Sequence, residues 1–133
     1  MLIDLKSILS DNNKTDSPTP NTLSEGQLVV DRLNDVNFSY VYVVRFIDPF
    51  SIDYTEKNLS EESVLALPTT QKYIEWFREG ILPMPISVVF QQVHNKFMST
   101  NRRRLIAARA AGVKKIPALV EIGRWRDLKM LAA

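Results

Sequence analysis

Hydrophobic positions in this chain fall into short runs whose period switches between two and roughly four, and each run predicts an element. Tyr40 to Ile47, YVYVVRFI, is β-branched and aromatic with almost no polar break, which predicts a strand interior to a sheet. Asp48-Pro49 ends it. Ser60 is a good helix N-cap with Glu61 and Glu62 favourably placed in the first turn, and that short helix stops near Pro68. A second helix begins around Thr69 or Thr70 and runs to Glu79. Its Tyr73, Ile74, Trp76 and Phe77 share one face for packing, and Gly80 is the stop. Pro83 and Pro85 lead into a strand over Ile86 to Phe90. The polar QQVHNK after it reads as a hairpin connection, and Lys96 to Ser99 as the returning strand. The next helix starts at Asn101, packs through Leu105, Ile106, Ala108 and Ala111, and ends at Gly112. Ile116 to Ile122 is a last strand, and Trp125 to Leu131 a short closing helix. This order predicts an α+β fold, a single small mixed sheet covered by helices.

The N-terminal part reads differently. Residues 10–26 are polar, carry Pro18 and Pro20, and lack the apolar content to order themselves, so a loop or mobile linker is expected there. Leu2, Ile3, Leu5, Ile8 and Leu9 suit a short amphipathic helix that docks on a partner. Residues 1–38 are therefore expected to form an N-terminal segment, partly mobile, ahead of an α+β domain over 39–133.

A length of 133 residues is that of one domain with one core. The chain has no cysteine, which excludes disulfides, thiolate metal sites and cysteine nucleophiles. MLIDLKSIL has an early aspartate and no long apolar run, so neither a secretion signal nor a membrane span is expected, and a cytoplasmic location is the default. The net charge of +2 hides a segregation. Residues 1–95 hold seven basic and thirteen acidic side chains, a net of −6, and residues 96–133 hold ten and two, a net of +8. Such asymmetry fits a polyanionic partner for the last third, and equally fits two parts that neutralise each other.

The sharpest local conflict lies in NRRRLIAARAAG, residues 101–112. A helix N-terminus presents unsatisfied N–H groups and about half a positive charge, so each cation there is disfavoured by roughly 0.3–1 kcal/mol. Arg102, Arg103 and Arg104 all fall in that first turn. An anion bound at this end, above all a phosphate, would turn the conflict into a binding site.

The same stretch, with the preceding Pro85-Ile86-Ser87-Val88 and the following glycine and Ile-Pro strand, resembles the ParB/sulfiredoxin superfamily, which includes ParB-like nuclease domains. Members open an alanine-rich helix with glycine, any residue, histidine or arginine, then arginine. Anchored on Ala107, Ala108 and Gly112, that motif falls on Asn101, Arg102, Arg103 and Arg104. The resemblance is good over about residues 80–122, weaker back to Tyr40 and absent before it. It implies binding of nucleotide or nucleic-acid phosphate at the helix start, with Arg103 and Arg104 as forked donors and Ser99 and Thr100 as secondary ones. Asparagine at 101 departs from the motif glycine, but it substitutes well at positive φ and is also a good N-cap.

Two further departures bear on activity. Sulfiredoxins place their reactive cysteine at the position of Arg102, so sulfinate reduction is excluded here. Partition ParB proteins usually have glutamate at that position, and Arg102 cannot serve as a carboxylate base or hold a metal. Those proteins also continue into a helix-turn-helix region, whereas only about eleven residues follow Ile122, so an isolated module of the kind carried by phages or plasmids is implied.

Other residues read more plainly. His94 suits an exposed turn, Asp48, Asp53, Glu61 and Glu62 suit capping and solubility, and Trp125 between Arg124 and Arg126 suits a core-closing role. Lys114 and Lys115 extend the basic face. No catalytic residue and no metal site is assigned. Three functions stay open: a DNA-associated module that binds phosphate at the Arg-rich helix; a metal-dependent nuclease or nucleotide hydrolase acting with ATP or CTP and Mg²⁺; and a non-catalytic protein-interaction module whose arginines pair with its own acidic half.

Overall fold

A computed structural model describes residues 2–9 and 17–132. The chain order is β1 (Leu2–Asp4), α1 (Leu5–Leu9), β2 (Leu28–Val30), β3 (Tyr40–Ile47), β4 (Ile52–Tyr54), α2 (Glu61–Leu65) and α3 (Pro68–Arg78). There follow β5 (Ile86–Gln91), β6 (Lys96–Ser99), α4 (Arg102–Ala111), β7 (Ile116–Arg124) and α5 (Trp125–Ala132). The strands form one seven-stranded mixed sheet in the order β1-β2-β3-β7-β5-β6-β4. The α+β expectation, one mixed sheet with helices against it, is what the structure has.

The long hydrophobic strand sits where its composition demands. β3 lies between β2 and β7, antiparallel to both, with Val44 opposite Leu119 and Val43 opposite both Val120 and Leu28. Alternation along β3 then separates two cores. Val43 and Ile47 pack with the larger one, which holds Ile52, Tyr73, Ile74, Phe77, Ile86, Val88, Leu105 and Ile116 under α2, α3 and α4. Tyr42, Val44 and Phe46 face the smaller one, with Leu23, Val29 and Leu119. Ala107 and Ala108 are fully buried, so α4 can lie close against its neighbours. Gly112 closes α4 at φ 74°, a left-handed conformation that suits glycine, and the Val113 N–H reaches back to the Ala108 carbonyl at 3.1 Å.

Within the first 38 residues, the described segments 2–9 and 17–38 are more integrated than their polarity implies. β1 and β2 extend the sheet, pairing in parallel as Leu2–Leu28 through Asp4–Val30. Ile3, Leu5 and Ile8 pack on the smaller core instead of waiting for a partner. In the expected linker, Leu23 is 7% exposed, and the Thr19 N–H and Ser17 carbonyl bond to Leu82 and Met84 at 2.6 and 2.8 Å. Sheet and core thus cross the boundary expected between residues 38 and 39. The rest of that linker, residues 10–16, lies outside the described residues.

Candidate functional site

β6 runs antiparallel to β5, and its last residue, Ser99, is opposite Val88. The chain then turns through Thr100 and Asn101 into α4, so the start of that helix emerges beside β5. The first intrahelical bond runs from the Leu105 N–H to the Asn101 carbonyl at 3.1 Å. The N–H groups of Arg102, Arg103 and Arg104 therefore precede the helical ladder, and the side chain of the N-cap residue Asn101 does not cap them.

Asn101 adopts φ −92° and ψ 60°, so the expectation of positive φ is not met, and neither is that of a side-chain cap. Its Oδ1 instead accepts the Ser87 N–H from β5 at 2.7 Å. The reason is tertiary: the neighbouring strand offers this oxygen a donor across the turn. Ser99 is 2% exposed, and its Oγ accepts the Asn101 N–H at 3.0 Å, which braces the turn from inside.

The three arginines have three different surroundings. Arg102 is 9% exposed; its NH1 donates to the Glu56 carbonyl at 3.1 Å and to Asn58 Oδ1 at 2.8 Å. Its NH2 lies 3.7 Å from the Glu56 carboxylate, and its Nε is buried without a partner. Arg104 points into the protein, where NH1 donates to the carbonyls of Met84 and Pro85 at 2.6 and 2.8 Å. Burial lowers its pKa, with the Tyr73 phenol opposing that shift. An arginine remains cationic even so. Arg103 is exposed, and among the described residues no hydrogen bond or ion pair engages its guanidinium. Long side chains thus carry two of the three charges away from the helix end to oxygen acceptors on neighbouring segments. Only Arg103 stays at the mouth.

Around this mouth lies a cleft of about 220 Å³ lined by Glu56, Tyr73 and every residue from Thr100 to Arg104. Three arginines and one glutamate are among its lining residues, with the Arg103 guanidinium the exposed one of the three. Of the six residues read as phosphate-binding from sequence, Thr100, Asn101, Arg102, Arg103 and Arg104 line it, while Ser99 lies beneath. Sequence reasoning missed Glu56 and Asn58, which reach Arg102 from the loop between β4 and α2 across more than forty residues of chain. No local pattern announces such a pairing.

Three of the other candidate acids, Asp48, Asp53 and Glu61, are tied into the scaffold. Asp48 Oδ1 accepts the Phe50 N–H at 2.9 Å, and Glu61 pairs with Arg109 at 3.4 Å. Asp53 accepts the Tyr54 N–H at 2.8 Å, the main reason its pKa is lowered, and pairs with Lys57 at 3.3 Å. Among the described residues no three histidine, aspartate or glutamate side chains converge as metal ligands. His94 is exposed in the β5–β6 turn. Trp125 is half-buried, while Arg124 and Arg126 lie over the rings of Tyr40 and Phe38 at 5.1 and 5.2 Å. Among the described residues no helix is long and apolar enough to cross a membrane.

No family model matches the sequence, and no curated protein matches it. Among solved structures, the chain is similar to sulfiredoxin from Arabidopsis thaliana, at 14% identity and a TM-score of 0.45 over 68% of this chain and 97% of that one. It is also similar to the C-terminally truncated chromosome-partitioning protein ParB from Caulobacter crescentus, in complex with CTP-γ-S, at 21% identity and a TM-score of 0.44. That match covers 65% of this chain and 49% of the ParB chain, about half its length.

Proposed function

We propose that this protein is a DNA-associated module that binds a phosphate of nucleic acid or nucleotide at the N-terminus of α4. One observation carries the reading: the exposed guanidinium of Arg103, unengaged among the described residues, stands beside three N–H groups that the Asn101 side chain leaves uncapped at the mouth of the cleft. Backbone N–H groups at a helix start and a forked guanidinium are complementary to phosphate oxygens. Thr100, exposed at the rim, adds a hydroxyl donor. Arg102 and Arg104 supply positive potential from fixed positions, since their NH1 groups already have acceptors. Binding of this kind weakens as salt rises, because counterions compete for the same charges.

The test is a titration with ATP, CTP, single-stranded DNA and duplex DNA, the nucleotides with Mg²⁺, at low and high salt. Saturable binding that weakens with salt supports the reading. Absence of binding to all four at low salt removes it.

A second reading, a non-catalytic module whose arginines serve the chain itself, is favoured by Arg102 and Arg109, which pair with Glu56 and Glu61. It predicts no phosphate ligand. The hydrolytic reading predicts metal-dependent turnover of DNA, RNA, ATP or CTP with Mg²⁺ or Mn²⁺, and persistent inactivity of pure protein on all of these would dismiss it.

A further inference from the structure

The phosphate site proposed for the start of α4 already has an internal anion at its rim, and the role of that anion rests on the same reading of the site. Arg102 is the best-buried cation lining the cleft after Arg104, at 9% exposure, yet its donors are unevenly used. NH1 serves two neutral acceptors, the Glu56 carbonyl and Asn58 Oδ1. Nε is buried and has no partner. Among the described residues NH2 has only the Glu56 carboxylate, 3.7 Å away, beyond normal hydrogen-bond length. A buried charged donor left short of acceptors is costly, and a site with such a group attracts an acceptor.

Glu56 is poorly placed to be that acceptor permanently. Its side chain is 65% exposed against 10% for Arg102, so water screens the pair and the carboxylate moves at little cost. The backbone of the same residue behaves differently: its carbonyl is hydrogen-bonded to Arg102, so the loop can stay in place while the carboxylate swings away. Glu56 also lines the cleft together with Thr100 and Arg103. An anion resting there meets this carboxylate as a like charge.

We infer that the Glu56 carboxylate is the displaceable internal counter-ion of the cleft, expelled when a phosphate enters, and that it sets the affinity of the site. Removing its charge while keeping its shape then strengthens binding, the opposite of what loss of a ligand-contacting residue does.

The test is an isothermal titration of pyrophosphate into wild type, Glu56→Gln, Glu56→Asp and Glu62→Gln at low salt. Glu62 is an exposed acid in α2 that does not line the cleft, so it controls for net charge alone. Glu56→Gln is expected to bind about three- to fivefold tighter than wild type, the size set by one exposed ion pair. Glu56→Asp, with its carboxylate drawn back by one methylene, should fall between them, and Glu62→Gln should match wild type. If wild type binds but Glu56→Gln binds equally or more weakly, the counter-ion role is wrong and the site survives. An equal gain in Glu62→Gln also overturns it, as a mere effect of net charge. Should neither wild type nor Glu56→Gln bind, the site reading itself fails.

Discussion

The Asn101 side-chain oxygen accepts the Ser87 N–H at 2.7 Å, so the residue that opens α4 spends its oxygen on a neighbouring strand and leaves its own helix uncapped. An asparagine in this position would ordinarily satisfy one of the first N–H groups of the helix. Here the helix start is held in place from outside while its donors stay available.

Asn101→Asp keeps the acceptor for Ser87 and adds a negative charge at the cleft. Stability should change little, because the tie to β5 persists and the helix end favours an acid, while affinity for ATP or DNA should fall. Asn101→Ala loses the tie and should cost about 1 kcal/mol in urea unfolding. Binding by Asn101→Asp as tight as that of wild type would contradict the placement of this residue on the cleft wall.

Arg103 and Arg104 adjoin in sequence and should differ sharply in denaturation. Arg104→Met removes the donor shared by the Met84 and Pro85 carbonyls in a buried setting and should destabilise by about 2–4 kcal/mol. Arg103→Ala is a surface change and should stay within about 0.5 kcal/mol of wild type. Equal losses would mean that both guanidiniums are structural.

Leu23 tests whether the polar N-terminal stretch belongs to the folded unit. At 7% exposure it fills the smaller core with Val29, Val44 and Leu119. Leu23→Ala should cost about 2–3 kcal/mol by removing buried methyl groups. A chain that unfolds at the wild-type urea midpoint would restore the picture of a loose linker.

Asp53 links acid stability to the edge strand β4. Its folded pKa lies below the ordinary 3.8, first through the Tyr54 N–H and then, against a burial penalty, through Lys57 and Lys96. The stability it contributes is present in full above the unfolded value and is lost as pH falls through the lower folded one. Asp53→Asn should therefore be less stable than wild type at neutral pH, and the gap should narrow below about pH 4 in thermal melts. A gap independent of pH between neutrality and the acid limit would show that the carboxylate charge is not what matters.

Legibility from sequence followed the length of each pattern. β3 was readable because all eight of its residues favour a strand except Arg45, and α4 because the alanine-rich run ends at a glycine that needs φ 74°. Ser60 showed its role as a cap, which its bond from the Ser63 N–H confirms. β1, β2 and β4 have three residues each, too few for any period to stand out. They are strands because neighbours complete their ladders. At the site, the arginine-rich helix start was visible as an electrostatic conflict. How the conflict is relieved was not, since the acceptors for Arg102 and Arg104 lie 44 to 46 and 19 to 20 residues away.

The proposed function stands on a phosphate entering at the start of α4 against Arg103. The decisive quantity is the ratio of dissociation constants of Arg103→Ala and wild type, for a short DNA duplex and for ATP with Mg²⁺, at low salt. The variant, folded to wild-type stability, is expected to bind the phosphate ligand about tenfold more weakly, with a shallower salt dependence for DNA. Equal constants for both proteins with both ligands would contradict a phosphate site at this helix start.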